Sequence, residues 1–151
     1  MLKDNSVSYI VDVRSSPRSY RFPHFDRPKL AAALEQAGIG YLYMGDRLGG
    51  KPEQNGDKKE WKQGKANPHL ISRLSRTDDW AHGIQELAAL VKERTRRREF
   101  GCLLCSEADP NKCHRSLVAF EVQHAQPKLT LHHISPRQKE RREVRFQKTL
   151  F

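Results

Sequence analysis

No stretch of this 151-residue chain approaches the ~18 consecutive apolar residues that a membrane-crossing helix requires, so no helical membrane span and no membrane partner are expected. Residues 1–6 hold no apolar signal core, and the N-terminus reads as that of a cytoplasmic protein. Cysteine is scarce: three residues, an odd count, point to reduced thiols rather than a disulfide framework. Internal repeats are missing. So are a glycine-rich phosphate loop, a dinucleotide-binding fingerprint and a zinc-protease motif, which removes the usual cofactor classes and leaves no cofactor expected. Hydrophobic residues make up only 36% of the chain and the mean hydropathy is −0.82, so the core must be compact and the loops long.

Positive charge is abundant. Twenty-eight Lys and Arg face 18 Asp and Glu, a formal net charge of +10. A basic surface of this size attracts polyanions, so nucleic acid or a phosphorylated small molecule is a natural partner, although solubility with bound counter-ions explains the same excess. Two clusters, residues 92–98 with five basic groups and 137–148 with six, both look helical, and either can be a solvated helix face. The length fits one domain spanning residues 1–151.

Along the chain, residues 8–14 read as a strand of β-branched residues ending in charge. A loop rich in Pro, Arg and aromatics follows. Asp26 then caps a short helix with Leu30, Ala31, Leu34 and Ala37 on one face and Gly38 as its stop. A second strand covers 39–44, and a long polar insertion runs from Gly45 to about Thr77, with at most a short helix at 68–74. Asp78 or Asp79 opens a helix carrying Trp80, Ile84, Leu87, Leu90 and Val91. A third strand, 100–105, feeds a helix from about 111 to 124, whose Leu117, Val118, Phe120 and Val122 suggest burial on more than one side. Residues 129–134 read as a fourth strand, and Pro136 starts a basic C-terminal helix. Alternating strands and helices imply a three-layer α/β fold around a mostly parallel sheet of about four strands.

Three constellations can carry chemistry, and the most informative lies in residues 100–115. There an apolar strand ends in Cys105 and Glu107, turns at Asp109-Pro110, and delivers Cys113, His114 and Arg115 into a helix start. Such junctions are where open α/β sheets place ligands. A strand-end thiol beside a helix N-terminus can be held as thiolate, making Cys105 a candidate nucleophile, although cysteine often serves as a small core hydrophobe, as Cys102 does mid-strand. Glu107 and His114 are candidate acid or base groups, and Cys113 and Arg115 complete the pocket. Cys105, Cys113 and His114 raise the question of zinc, but structural zinc sites pair cysteines closely, C-x₂₋₄-C, and this spacing does not fit, so no metal is expected. A phosphatase-type loop would need an arginine six positions after its cysteine, where Asn111 or Ala119 stands.

The second constellation is Asp12 and Arg14, which strand alternation puts on one face, followed by Arg18. In a parallel sheet this strand end opens on the same edge as Cys105. Arg14 and Arg18 can then fork onto a phosphate or carboxylate, or an Asp12–arginine pair can simply anchor the loop. The third is the loop from Arg18 to Phe25, where Tyr20, Phe22, His24 and Phe25 alternate with cations. It suits stacking on a base with phosphate contacts, or else Phe22 and Phe25 pin the loop to the domain.

These residues together resemble the domain of unknown function 488 family of small prokaryotic proteins. The stretches that carry the resemblance are Val11-Asp12-Val13-Arg14 with Pro17 and Arg18, the Phe22-to-Phe25 element, Leu48-Gly49-Gly50, and residues 103–107 through Cys113-His114-Arg115. The resemblance covers about residues 9–134, with 135–151 as a basic extension. It implies a Rossmann-like α/β domain with the motif residues gathered at one sheet edge, and no particular reaction. Members of the family usually carry a further strand and helix ahead of the Asp-Val-Arg strand. Only seven residues precede Ser8 here, so either the chain starts late or a homo-oligomer or another partner covers that flank.

Three functions follow from this reading. The first is an enzyme-like domain for a phosphate-bearing nucleotide or nucleic acid, with Arg14, Arg18 and Arg115 on the anion and Phe25 at the rim. The second is a non-catalytic nucleic-acid-binding module. The third is a sulfurtransferase-like protein working through Cys105, since Asp-Val-Arg with a strand-end cysteine is similar to rhodanese-like domains.

Overall fold

The computed structural model describes residues 1–50, 77–110 and 113–134. The expected short helix at 68–74, most of the long insertion and the basic C-terminal helix lie outside these residues. No helix among those described is long and apolar enough to cross a membrane.

Among the described residues the sheet has three parallel strands: β1 (Val7–Asp12), β2 (Gly40–Tyr43) and β3 (Phe100–Leu104), in the spatial order β2-β1-β3. β1 is central because its residues can be buried on both sides. Val7 and Ile10 face one core with Leu34 and Ile39, whereas Tyr9, Val11 and Val13 face the other. An irregularity between Val7 and Tyr9 in the pairing with β3 resets the alternation, which puts Val7 and Ile10 on one side although they are three residues apart.

Helices cover both faces, giving the three-layer, Rossmann-like α/β arrangement expected. α1 (Arg27–Gln36) lies over the Ile10 face. Gly38 ends it with φ +73°, a left-handed conformation costly for any other residue, and the chain turns directly into β2. Asp26 occupies the N-cap position, but its carboxylate accepts from the Ser19 backbone N–H at 2.7 Å, so it fastens the preceding loop rather than the helix. A one-turn helix, α2 (Gly45–Leu48), follows β2.

α3 (Asp78–Arg96) and α4 (Arg115–Ala125) share the opposite face with α2. α3 is capped by Thr77, whose hydroxyl accepts from the Trp80 N–H, and Asp78 and Asp79 in its first turn complement the helix dipole. Trp80, Gly83, Ile84, Leu87 and Ala88 recur at helical spacing and form its buried stripe. α4 buries only Val118 and Val122, and Phe120 is largely exposed, so this helix is covered on one side rather than two.

Residues 129–134 do not add a fourth strand. Leu129 donates its N–H to the Gln126 carbonyl and accepts from the Gln123 side chain, which ties this backbone to the end of α4. Only an isolated bridge at residue 132 has β character.

The path from β1 to β2 moves one way across the sheet, and the path to β3 moves the other way. Reversal of direction at β1 explains why α1 and α3 lie on opposite faces, and it sets the switch point beyond the C-terminal ends of β1 and β3, where open α/β sheets place ligands. Trp80 is the largest fully buried side chain of the core on the α3–α4 face, and its indole N–H donates to Glu121 at 2.8 Å, joining α3 to α4. Trp80→Ala is expected to cost roughly 3–5 kcal/mol in urea unfolding; a loss under about 1 kcal/mol would contradict this packing.

Candidate functional site at the carboxyl edge of the sheet

Parallel pairing of Asp12 with Leu104 brings the ends of β1 and β3 side by side, so the residues just beyond them, Val13, Arg14 and Cys105, share one edge. The Val13 N–H donates to the Leu104 carbonyl at 3.0 Å, which continues the ladder one step past the strands. The start of α4 then projects His114 back toward this edge.

His114 is the centre of the arrangement. Its Nε2 lies 2.9 Å from the Val13 carbonyl oxygen and its Nδ1 lies 3.8 Å from Cys105 Sγ. A carbonyl can only accept, so Nε2 carries the hydrogen and Nδ1 turns its lone pair, or its second proton, toward the thiol. Burial alone would lower the basicity of this imidazole. The hydrogen bond and charge of Cys105, with the carbonyls of Val13 and Leu48, outweigh burial and raise it.

Cys105 is only partly buried, and its ionisation is pulled down to about 4. The hydrogen bond from Cys113 is the largest cause. Burial opposes it, and the hydrogen bond and charge of His114 and the Glu107 backbone N–H add to it. Cys113 is buried and responds in the opposite sense: donation to the Cys105 sulfur, together with burial, pushes its own ionisation far up. Within the pair, Cys105 is therefore the thiolate and Cys113 the thiol. Cys102, mid-strand and largely desolvated, is pushed up by burial.

The ligand atoms of Cys105, Cys113 and His114 all lie within 4.8 Å of one another. The spacing that argued against a metal therefore does not keep these atoms apart, because the turn at Asp109-Pro110 folds the chain back on itself. Two thiols and an imidazole are a donor set that zinc accepts.

The arginines are engaged in holding the edge together. Asp12, wholly buried, accepts from Arg14 Nε at 2.9 Å and Nη2 at 2.6 Å, from the Arg14 backbone N–H at 3.1 Å, and from the Tyr41 hydroxyl at 2.6 Å. Arg14 Nη1 donates to the Phe25 carbonyl at 3.0 Å. This is the loop-anchoring arrangement of the two alternatives set out for Asp12. Burial, then the bond to Asp12, pushes the Tyr41 hydroxyl well above the ordinary phenol range. Arg115 donates to the carbonyls of Glu107 at 2.7 Å and Ala108 at 2.9 Å, which secures the turn between Cys105 and Cys113. The Glu107 side chain is exposed at the rim, and Arg18 is exposed on the loop beyond β1.

That loop is pinned by polar contacts rather than by Phe22 and Phe25. Arg14 grips the Phe25 carbonyl, Asp26 holds the Ser19 N–H, and the Arg27 N–H donates to the Pro17 carbonyl. The rings are left outward: Tyr20 is 99% exposed, Phe22 49% and Phe25 41%. Arg21 stands 5.4 Å from the Phe22 ring centre, and His24 packs 4.5 Å from Phe25. Of the basic cluster at 92–98, Arg94 pairs with Glu99 and Arg97 with Glu93, which reduces its free positive charge.

Two contributors escape a reading by residue type. A Cβ on Gly50 would stand 2.6 Å from His114 Nδ1, so the absence of a side chain there is what lets the chain pass beside the imidazole. The Leu48-Gly49-Gly50 element was the available signal, without a role attached to it. Tyr41 was readable only as a strand residue, yet it completes the shell around Asp12.

A three-layer α/β domain with its polar residues at the carboxyl edge of a parallel sheet, at the point where strand order reverses, belongs to the Rossmann-like class. The family model described as "Domain of unknown function DUF488" matches residues 1–121, and the chain belongs to that family. No curated protein and no solved structure matches it.

Two outcomes follow from this geometry. Asp12→Ala leaves the Arg14 cation buried without its counter-charge and is expected to destabilise the fold by roughly 3–5 kcal/mol in urea unfolding; a change below about 1 kcal/mol would show that the pair holds nothing. A thiol that ionises at about 4 rather than the ordinary 9.0 remains thiolate across the neutral range. Alkylation of Cys105 by iodoacetamide should therefore stay near its plateau as pH falls from neutrality and drop only on approaching that value. His114→Ala should move the profile upward, and a wild-type profile centred on the ordinary thiol value would refute the thiolate.

Proposed function

We propose that this chain is a cysteine-dependent enzyme for a phosphate-bearing substrate, a nucleotide or a nucleic acid, with Cys105 as nucleophile and His114 as its proton partner. The observation that carries this reading is the alignment of Cys105 Sγ, His114 Nδ1, His114 Nε2 and the Val13 carbonyl, at 3.8 and 2.9 Å, at the switch point beyond β1 and β3. A nucleophile, a base and a group that orients the base are the parts nucleophilic catalysis needs.

In this scheme the Cys105 proton already rests on the His114 imidazole, and the thiolate sulfur attacks the electrophilic atom of the substrate. The leaving group departs with a proton from the imidazolium or from Glu107 at the rim. The Glu107 backbone N–H adds to the lowering of the Cys105 ionisation and helps hold negative charge there. Arg18 and the donors of Arg115 not spent on backbone carbonyls supply the anion contacts, while Arg14 acts through the strand end it fixes. The exposed Tyr20, Phe22 and Phe25 rings offer stacking surfaces for a base, consistent with a chain of formal net charge +10.

Sulfur transfer is a second reading, favoured by the second thiol, Cys113, whose sulfur lies within 4.8 Å of Cys105 Sγ and would equally support a persulfide there.

Protection against alkylation tests the proposal. Inorganic phosphate should slow the reaction of iodoacetamide with Cys105 in a saturable way, and Arg18→Gln should weaken that protection several-fold without changing the unprotected rate. Absence of protection at any phosphate concentration overturns the phosphate-bearing substrate. A persulfide left on Cys105 by thiosulfate selects the second reading.

A further inference from the structure

Two thiols within reach of one another, one partly open and one buried behind it, are more than a single nucleophile needs. Cys105 follows β3, Cys113 precedes α4, and their sulfurs lie no more than 4.8 Å apart on a turn that Arg115 braces from its far side. The Cys113 sulfur also accepts from the Arg115 N–H at 3.5 Å, which holds it at the start of the helix. A disulfide brings its sulfurs to ~2.05 Å, a closure within the reach of side-chain rotation from this starting separation.

We propose that Cys113 is the resolving thiol of a redox pair with Cys105, so that a hydroperoxide converts the two into an intramolecular disulfide and closes the nucleophile off. The proposal rests on the reading of Cys105 as the reactive thiolate. In the first step the Cys105 sulfur attacks the distal oxygen of the hydroperoxide. An S–O bond forms, the O–O bond breaks, and the alkoxide or hydroxide leaves with the proton of the His114 imidazolium, as alcohol or water. Cys105 is oxidised by two electrons to the sulfenic acid, and the peroxide is reduced by two.

In the second step the Cys113 sulfur attacks Cys105 Sγ. The S–S bond forms, the S–O bond breaks, and hydroxide leaves as water with the Cys113 proton. In the reduced state the Cys113 sulfur already lies within 4.8 Å of Cys105 Sγ, so the attack needs only side-chain rotation. An external dithiol restores both thiols by exchange, giving up two electrons and two protons. The partition of roles follows from access: the partly exposed Cys105 meets the oxidant, and the buried Cys113 meets only Cys105. Cys102, on the strand and packed with the opposite core, takes no part.

Hydrogen peroxide added to the reduced, full-length protein, followed by alkylation without reductant and peptide mass analysis, tests this. The expected result is a Cys105–Cys113 linked peptide, two hydrogens lighter than the sum of its parts and removed by dithiothreitol. In Cys113→Ser and in Cys113→Ala, dimedone labelling of Cys105 should rise several-fold over wild type and the linked peptide should vanish. Wild-type protein that gives Cys105 sulfinic acid, a link to Cys102, or no link at all overturns the proposal. So does an isolated protein carrying one equivalent of zinc on the two thiols that shields them from peroxide. Iodoacetamide labelling of the untreated sample separates the two claims: rapid labelling of Cys105 without a disulfide sinks the redox pair alone, and neither reaction sinks the nucleophile with it.

Discussion

The hydrogen bond from His114 Nε2 to the Val13 carbonyl is the contact on which the rest of the site depends. It joins the first turn of α4 to the end of the central strand, across a sequence separation of about a hundred residues. Because the acceptor is a backbone carbonyl, it fixes both the rotation of the ring and the position of its hydrogen. Nδ1 is then left for Cys105, and Cys105 is thereby given a partner able to stabilise negative sulfur in a partly desolvated position. Burial by itself would keep the thiol neutral. The donors around it, Cys113 first and then His114 and the Glu107 N–H, reverse that preference.

The parts that hold this contact in place are themselves buried polar groups, each provided with partners. Asp12 is enclosed by Arg14 and Tyr41, and Arg14 extends to the Phe25 carbonyl, so the end of β1 is fixed to β2 on one side and to the aromatic loop on the other. Arg115 does for the Glu107–Ala108 turn what Arg14 does for the loop. Behind them, Trp80, Leu87, Val118 and Val122 pack α3 and α4 onto the sheet. Gly50 leaves room for the imidazole where any side chain would collide with it. Two rigid supports, one at each strand end, converge on a short sulfur–imidazole contact.

Much of this was legible in the residues. Alternation in the first strand put Asp12 and Arg14 on one face, the apolar run at 100–105 marked a strand, which is half-buried at Cys102–Leu104 rather than buried, and the helix stop at Gly38 matched its positive φ. What could not be read is what residue types do not encode. The partners of Arg14, Arg115 and His114 include the carbonyls of Phe25, Glu107, Ala108 and Val13, and a backbone acceptor leaves no mark in sequence. Spacing likewise said nothing of how near the Cys105, Cys113 and His114 ligand atoms come, because a turn closed by arginine brings them within 4.8 Å of one another. The apolar pattern at 129–134 suggested a strand, but hydrogen bonds to the end of α4 hold Leu129 there instead.

The central claim is that His114 faces Cys105 through Nδ1 as the charged partner of a thiolate. Nitrogen NMR of the His114 ring at neutral pH tests it most directly. The account predicts an imidazolium, both nitrogens protonated, in the wild-type protein, and in Cys105→Ser a neutral ring that keeps its hydrogen on Nε2. A neutral wild-type ring with its hydrogen on Nδ1 would contradict it, since the Val13 carbonyl would then have no donor and Cys105 no base.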